Sequence, residues 1–297
     1  MRQEAAYLAV QSICREYNVS ISRMCAIAGI ARASYYKWLN REIPEAELLN
    51  EAIAEAVMSI HKEYPDKGHR RIRDDLLRDY GFDVSDRRVL RICRILGIKS
   101  TIKYERNSCT VNAKDPQHIS ENILKRNFRA DAPNEKWLTD VTEFKYYEGS
   151  EKRKVYLSAI LDLYDRRIVA YVIGDSNNNP LVYDTFKKAV TSYPDAHPLF
   201  HSDRGFQYTN AVFHEMLTEH GMTQSMSRVG KCIDNGPIEG FWGILKRECY
   251  YGKRFESRED IVDMIESYIY YYNNRRYQRQ LGVVTPVEKY EQYLSAA

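Results

Sequence analysis

The chain has 297 residues, 44 % of them hydrophobic and 29 % charged, which is enough apolar matter for a sizeable core and excludes a wholly disordered chain. Its net charge of +3 hides an asymmetry: residues 1–130 hold 23 Lys and Arg against 17 Asp and Glu, and the remainder holds 21 against 24. A basic front and a slightly acidic back suit a protein that grips a polyanion in front and acts on it behind.

The first 40 residues read as helices. Leu8, Ile13 and the alanines give an apolar face to a helix ending near Tyr17. Ser20 is placed to cap a second helix carrying Ile21, Met24, Cys25 and Ala28. Gly29 permits a tight turn into a third helix through Tyr35, Tyr36, Lys37, Trp38 and Leu39. Helix, short turn with glycine, helix is the helix-turn-helix pattern, so Tyr35, Tyr36 and Lys37 are expected at DNA.

Pro44 opens a helix that runs to about Glu63. YPDKG at 64–68 is a turn, and GHRRIRDDLLRDYG follows as a helix closed by Gly81. Ser85 caps a helix from Asp86 to Leu96, stopped by Gly97. Val89, Ile92, Cys93 and Leu96 form its apolar stripe, while Arg87, Arg91 and Arg94, with Arg88 beside them, form a second stripe suited to phosphates or the major groove. This is a second helix-turn-helix candidate. Residues 101–134, with Asn107, Ser108, Asn112 and Pro116, lack periodicity and read as an extended linker with one short helix near 118–127.

From Glu135 the pattern changes. KWLTDVTEFKYY, KVYLSAILDLYD and RIVAYVIG read as three strands joined by short turns, hence antiparallel neighbours. A helix over 181–192, a strand in HPLFHSDRG, a helix through 213–220, a strand at MTQSMS and a long helix from about Asn235 to Tyr250 follow. The order βββαβαβα predicts an α/β ribonuclease-H-like core, a mixed sheet with helices on both faces. A further amphipathic helix covers 259–274.

The six cysteines form no CxxC pair, so reduced thiols are expected. His61, His69, Cys93 and Cys109 occur in His-His-Cys-Cys order, but both pairs are too widely spaced for a compact zinc site. The carboxylates carry the chemistry instead. Asp140 sits in WLTDVT, Asp203 in HSDRGFQYTN, and Glu239, after 35 intervening residues, in CIDNGPIEGFWGILKRE. Three carboxylates converging from different elements can hold two Mg²⁺ ions roughly 4 Å apart for phosphodiester chemistry. Lys246 follows Glu239 by seven residues, on the same helical face about 10 Å along the axis, where it can hold a DNA phosphate or base.

These motifs, with YLSAILDLYDRRIVAY, YYNNRRYQRQLGVVTPVEKY and the helix-turn-helix region 58–100, resemble those of bacterial insertion-sequence transposases of the IS-three family, which share the integrase core of retroviruses. The resemblance implies Asp140, Asp203 and Glu239 as the metal-binding catalytic triad and Lys246 as a DNA-contacting residue. Asn235, one turn before Glu239, is a further candidate at DNA, while Asp162 fits a structural role. His201, Ser202, Gln207 and Tyr208 flank the second Asp as site-shaping candidates, and Trp137 and Trp242 read as core aromatics, the latter also able to stack near DNA.

The expected domains are residues 1–43 and 44–100 as two helix-turn-helix units, 101–134 as linker, 135–252 as the retroviral-integrase-type core and 253–297 as a C-terminal helix and tail. The expected activity is that of a Mg²⁺-dependent polynucleotidyl transferase, with Mn²⁺ as a substitute, that nicks mobile-element ends and joins the freed 3′-hydroxyl to another phosphodiester. A DNA-binding regulator without catalysis and a ribonuclease-H-like nuclease without strand transfer are the rival readings. Expected partners are double-stranded DNA (terminal inverted repeats and target), further copies of the chain in a homo-oligomer on DNA, and an upstream-frame protein, since the chain resembles the second reading frame of the family's frameshift fusion. No apolar run reaches the ~20 residues of a membrane span. The charged MRQEAAYLAVQSICREY start lacks a signal-peptide layout, so a bacterial cytoplasmic, nucleoid-associated protein is expected.

Overall fold

The computed structural model describes residues 4–42, 44–102, 117–229 and 232–296. Of the sequence-based expectations, most of the 101–134 stretch before Gln117, including Cys109 of the rejected zinc set, lies outside the described residues. The chain divides into two compact units, one up to Ala56 and one from Val57 onward.

The first unit holds α1 (Glu4–Tyr17), α2 (Ile21–Ile27), α3 (Arg32–Leu39) and the start of α4 (Glu45–Glu63). The Ser20 hydroxyl accepts from the Arg23 amide, and Gly29 turns the chain at φ +66°, a backbone state that glycine adopts without a Cβ clash. Tyr7, Val10, Cys25, Ile30 and Tyr35 form the core, and Trp38 stacks on Tyr7 with ring centroids 5.4 Å apart. Two expectations change here. The buried face of α1 is Tyr7 and Val10, whereas Leu8 is exposed. Tyr35, expected at DNA, is only 2 % exposed, because α3 turns that residue and Trp38 toward Tyr7; Tyr36 and Lys37 stay outside.

The second unit begins with the hairpin of α5 (His69–Asp79) and α6 (Asp86–Ile95). Ile72 and Leu76 face Val89, Ile92 and Cys93 as the buried stripes of the two helices. The Ser85 hydroxyl caps α6 through the Arg88 amide, and Gly97 (φ +69°) ends it while the Ile98 amide donates to Cys93 O.

The sheet follows as β1 (Lys136–Glu148), β2 (Glu151–Asp162), β3 (Ile168–Gly174), β4 (Leu199–Ser202) and β5 (Thr223–Met226) in spatial order β3-β2-β1-β4-β5. The first three strands are antiparallel neighbours, while β4 and β5 add in parallel, reached through α7 (Asn179–Ser192) and α8 (Ala211–Glu219). Alternation along β1 divides the core. Trp137 packs with Val182, Phe186, Phe200 and Phe213 on one face. Leu138 and Phe144 pack on the other with α9 (Gly236–Leu245) and α10 (Arg258–Asn274). A last helix, α11, covers Pro286–Ala296. This is the expected mixed sheet with helices on both faces.

Two local expectations fail. No helix forms near 118–127. There the Ile123 and Leu124 amides donate to Ser225 Oγ at 3.0 and 3.1 Å, and the Met226 amide donates to Glu121 O at 3.2 Å, so the segment lies along β5 with Leu124 buried. The long helix after Asn235 is α-helical only to Leu245. Lys246–Tyr250 widen into a π-helical turn, in which the Tyr251 amide donates to Lys246 O at 2.7 Å.

Candidate active site

The strand register builds half of the site. Leu138 pairs with His201 across the parallel β1–β4 ladder. Two residues further along each strand path stand Asp140, still in β1, and Asp203, one residue past β4, so the register brings both to the same end of the ladder. Asp203 lies one residue past the end of β4, where its Oδ1 accepts from the Gly205 amide at 2.8 Å. Space at Gly205 is tight: a Cβ there would stand 3.0 Å from Asp203 Oδ1 and 3.1 Å from Gln207 Oε1, so those side chains would have to give way by a few tenths of an ångström.

Helix α9 builds the other half. Glu239 lies in its first turn. One turn on, the Trp242 indole N–H donates to Asp140 Oδ2 at 2.9 Å. Asn235, just before the helix, donates its amide to Thr139 O at 3.1 Å. The three carboxylates keep part of their surface open to solvent.

Burial raises all three carboxyl pKa values, Asp140 well above the ordinary range. The Asp203 charge adds to the rise at Asp140 and Glu239, and Glu239 acts in turn on Asp140, against the hydrogen bonds of the Val141 backbone and Trp242. This mutual effect places the three in one electrostatic cluster of like charge. Among the described residues, no group of three His, Cys, Asp or Glu side chains is arranged, as it stands, to hold an ion. The donor set nevertheless fits hard divalent cations: it is all carboxylate oxygen, crowded and short of compensating charge.

The flanking candidates resolve into supports. His201 is fully buried between Ser225 Oγ (2.9 Å from Nδ1) and Ser227 Oγ (3.1 Å from Nε2), and burial pushes its pKa down to about 4, so it is neutral at physiological pH. The Ser202 hydroxyl donates to Asp203 O, and Gln207 to Asn177 Oδ1. The buried Tyr208 hydroxyl lies 3.3 Å from Thr139 Oγ1, which itself donates to Ala159 O. Asp162 is structural: its carboxylate accepts from the Asn134, Tyr164 and Asp165 amides and fixes the turn after β2. Asn235, expected at DNA, is only 2 % exposed because its side chain secures β1. Trp242 is more than a core aromatic, being the side-chain donor to Asp140. Its i, i+3 spacing from Glu239 was the available signal.

Lys246 stands at the junction of α9 and the π-helical turn, with Nζ 5.1 Å from the centre of the Phe144 ring. On α6, Arg87, Arg91 and Arg94 are exposed, with Arg88 half-buried, opposite the packed Val89, Ile92 and Cys93. The loop before α9 is tied by the buried Asp234, which takes charge-assisted hydrogen bonds from Arg228 and Arg126 that hold its carboxyl well below the usual range.

Comparison with known proteins places this arrangement. Integrase core domain families match residues 130–232 and 239–294, and an HTH-like domain family matches residues 48–106. A transposase-like protein of Haemophilus influenzae is 42 % identical over 212 residues, 71 % of this chain and 95 % of its own length. The InsK protein of insertion sequence element IS150 in Escherichia coli K12 is 37 % identical over 222 residues, 74 % of this chain and 76 % of its own. Transposase InsF of insertion sequence IS3A, also from Escherichia coli K12, is 28 % identical over 277 residues, 92 % and 94 % of the two chains. The chain belongs to the IS-three family of insertion-sequence transposases. In this transposase Asp140 and Asp203 fall within the first integrase segment, Glu239 and Lys246 within the second, and α5 and α6 within the HTH-like domain. Among its described residues no helix is long and apolar enough to cross a membrane.

Proposed function

We propose that Asp140, Asp203 and Glu239 are the catalytic carboxylates of this DNA transposase, and that they hold the divalent cations, two Mg²⁺ or Mn²⁺ in their place, needed to cut and join DNA at the ends of its element. The observation that carries this is the convergence of three carboxylates from three different elements, each with a raised pKa and two of them raised by the charge of a third. When bound, such a pair of ions supplies Lewis acidity at the attacking and leaving oxygens of a phosphodiester. The protein's own share is positional. The Trp242 N–H aims the Asp140 carboxylate, the Gly205 amide aims Asp203, and α9 presents Glu239. Lys246 supplies a point charge for a phosphate of the terminal nucleotides, and the arginine face of α6 holds the flanking duplex.

The chemistry this supports is nicking at the terminal inverted repeats, then attack of the freed 3′-hydroxyl on another phosphodiester without a covalent protein–DNA link. It takes place in the bacterial cytoplasm at the nucleoid, by copies of the chain assembled on DNA, with or without an upstream-frame partner. The test is a labelled duplex built from the inverted repeats that flank the reading frame. It is incubated with the protein and Mg²⁺, with Mn²⁺, or with chelator. Metal-dependent nicking and joined products are expected, and Asp203→Asn is expected to lose both while still binding the duplex. Metal-dependent cutting without joined product would favour a nuclease, and end binding without cutting a regulator.

A further inference from the structure

We propose that Glu248 is a positioning residue that locks the DNA-reading hairpin to the catalytic helix and so fixes how far from the recognised sequence the strand is cut. This rests on the reading of α6 as the face that holds DNA and of Glu239 as catalytic.

Glu248 follows Lys246 by two residues, inside the π-helical turn that ends α9. Its side chain is buried, and burial alone would raise its pKa, but Arg276 and Arg71 outweigh that and hold it below the ordinary range. From α10, the Tyr268 hydroxyl donates to Oε2 at 2.8 Å. Just past α10, Arg276 adds a two-pronged contact, Nη2 to Oε1 at 2.8 Å and Nε to Oε2 at 3.1 Å. From α5, Arg71 Nη1 reaches Oε1 at 2.9 Å, while its Nη2 donates to the Tyr271 hydroxyl at 2.7 Å. One carboxylate on the catalytic helix therefore joins the hairpin to α10.

A second latch continues the lock. Arg279 donates through Nε to Asp74 of α5, at 2.9 and 3.0 Å, and through its two terminal nitrogens to Asp86, at 2.8 and 2.9 Å. Asp86 is the first residue of α6 and precedes Arg87. The Tyr277 hydroxyl donates to Asp79 at 2.6 Å, and Arg78 pairs with Glu288.

An apolar contact would bury the same surface and tolerate sliding. Forked guanidinium contacts to a buried carboxylate fix direction as well as distance, and their worth lies more in a single geometry than in stability. The π-helical turn serves the same end, because its wider turn changes the direction in which the following residues point. Neighbouring phosphodiesters on a strand are ~3.4 Å apart along the duplex axis. A hairpin free to shift by that distance would move the cut by one nucleotide.

The experiment maps cut positions at nucleotide resolution on the inverted-repeat duplex, using the full chain with Mg²⁺. Glu248→Gln removes the charge, Arg71→Lys keeps charge but cannot hold Glu248 and the Tyr271 hydroxyl at once, and Glu248→Asp is the conservative control. Both disruptive variants are expected to spread the parent's single cut over neighbouring phosphodiesters, with end affinity and non-specific nicking of plasmid DNA retained and Glu248→Asp closest to the parent. A cut that stays at one position while total activity falls would overturn the proposal and leave Glu248 a brace. Should Glu248→Gln not fold, Arg71→Lys carries the test. Amide exchange gives a readout without cleavage: Arg71→Lys should speed exchange in both α6 and the turn after Lys246. Unchanged exchange there overturns the coupling. A parent that never cuts the duplex overturns the proposed function instead, and the exchange result still decides the coupling.

Discussion

Replacing Trp242 with Phe isolates one hydrogen bond of the site. The indole N–H donates to Asp140 Oδ2 at 2.9 Å, and Phe keeps an aromatic ring without the donor. A hydrogen bond to a charged group contributes about 1.5–3 kcal/mol, and 1.36 kcal/mol corresponds to one pKa unit. The bond favours the carboxylate over the acid, so its loss raises the Asp140 pKa further. A protonated carboxyl cannot ligate a cation, so the acid limb of metal-dependent nicking should move up by about one to two pH units. On the alkaline side, where Asp140 is ionised in both proteins, the rates should converge. Initial nicking rates across the acid and neutral range, at fixed Mg²⁺, test this. The smaller ring will also cost stability, well short of the ~3–5 kcal/mol of truncating Phe or Trp to Ala, and a melting curve separates that loss from the pH effect. A uniform fall in rate with an unmoved acid limb would refute the argument and reduce Trp242 to packing.

The raised carboxyl pKa values also set a stability trend. The folded cluster holds protons more tightly than the unfolded chain, so its contribution is complete below the ordinary value of 3.8 and is lost as pH rises through the raised values. Asp203→Asn should therefore melt higher than the parent in chelator, by a margin that widens with pH; a margin independent of pH would contradict the coupling. Gly205→Ala forces a Cβ to 3.0 Å from Asp203 Oδ1 and should cost about 1–3 kcal/mol in strain together with most of the nicking activity; normal activity would show that the loop gives way freely. Replacing Arg87, Arg91 and Arg94 with Ala should weaken DNA binding and flatten its salt dependence by about 0.9 in logarithmic slope for each phosphate no longer neutralised, and an unchanged slope would return that face to plain solvation. Lys246→Ala should lower end cutting at limiting DNA by about one to two powers of ten while leaving the Mg²⁺ titration midpoint in place, which a matched pair of titrations checks.

Much of this was legible because local chemistry and tertiary structure agree. Ser20 and Ser85 cap the helices they precede, and the β-branched and aromatic runs of 136–174 become three consecutive antiparallel strands. The carboxylate frames were legible because each joins an acidic residue to the element that presents it. What failed was decided by distant partners. The segment 118–127 forms no helix, and its Ile123 and Leu124 amides go to Ser225 of β5. In Tyr35-Tyr36-Lys37, nothing local tells which residue meets Tyr7 of α1. Asn235 looked like a polar residue beside a site, yet Thr139 O accepts from its amide. The π-helical turn was invisible because its setting includes Arg71, Tyr268 and Arg276, which lie far away in sequence.

The two halves of the site are therefore held by different devices. Asp140 is carried by the backbone register of β1, and Asp203 by the end of β4 and the Gly205 loop that follows it. Glu239 depends on how α9 lies along β1, and that alignment rests on a ladder of side chains. Asn235 meets Thr139, Trp242 meets Asp140, Lys246 lies over Phe144, and the Tyr250 hydroxyl takes the Lys145 amide at 3.0 Å. Helix and strand run in the same direction through all four contacts, so loosening any one lets α9 tilt or slide relative to the aspartates. Substitutions at Asn235, Lys246 or Tyr250 should consequently shift Glu239 while leaving the β1 and β4 backbone in place, and one at Trp242 should reach the Asp140 carboxylate as well. Substitutions that disturb the β4 loop should do the reverse. Asp140 alone belongs to both halves, since the sheet carries its backbone and Trp242 on α9 orients its carboxylate.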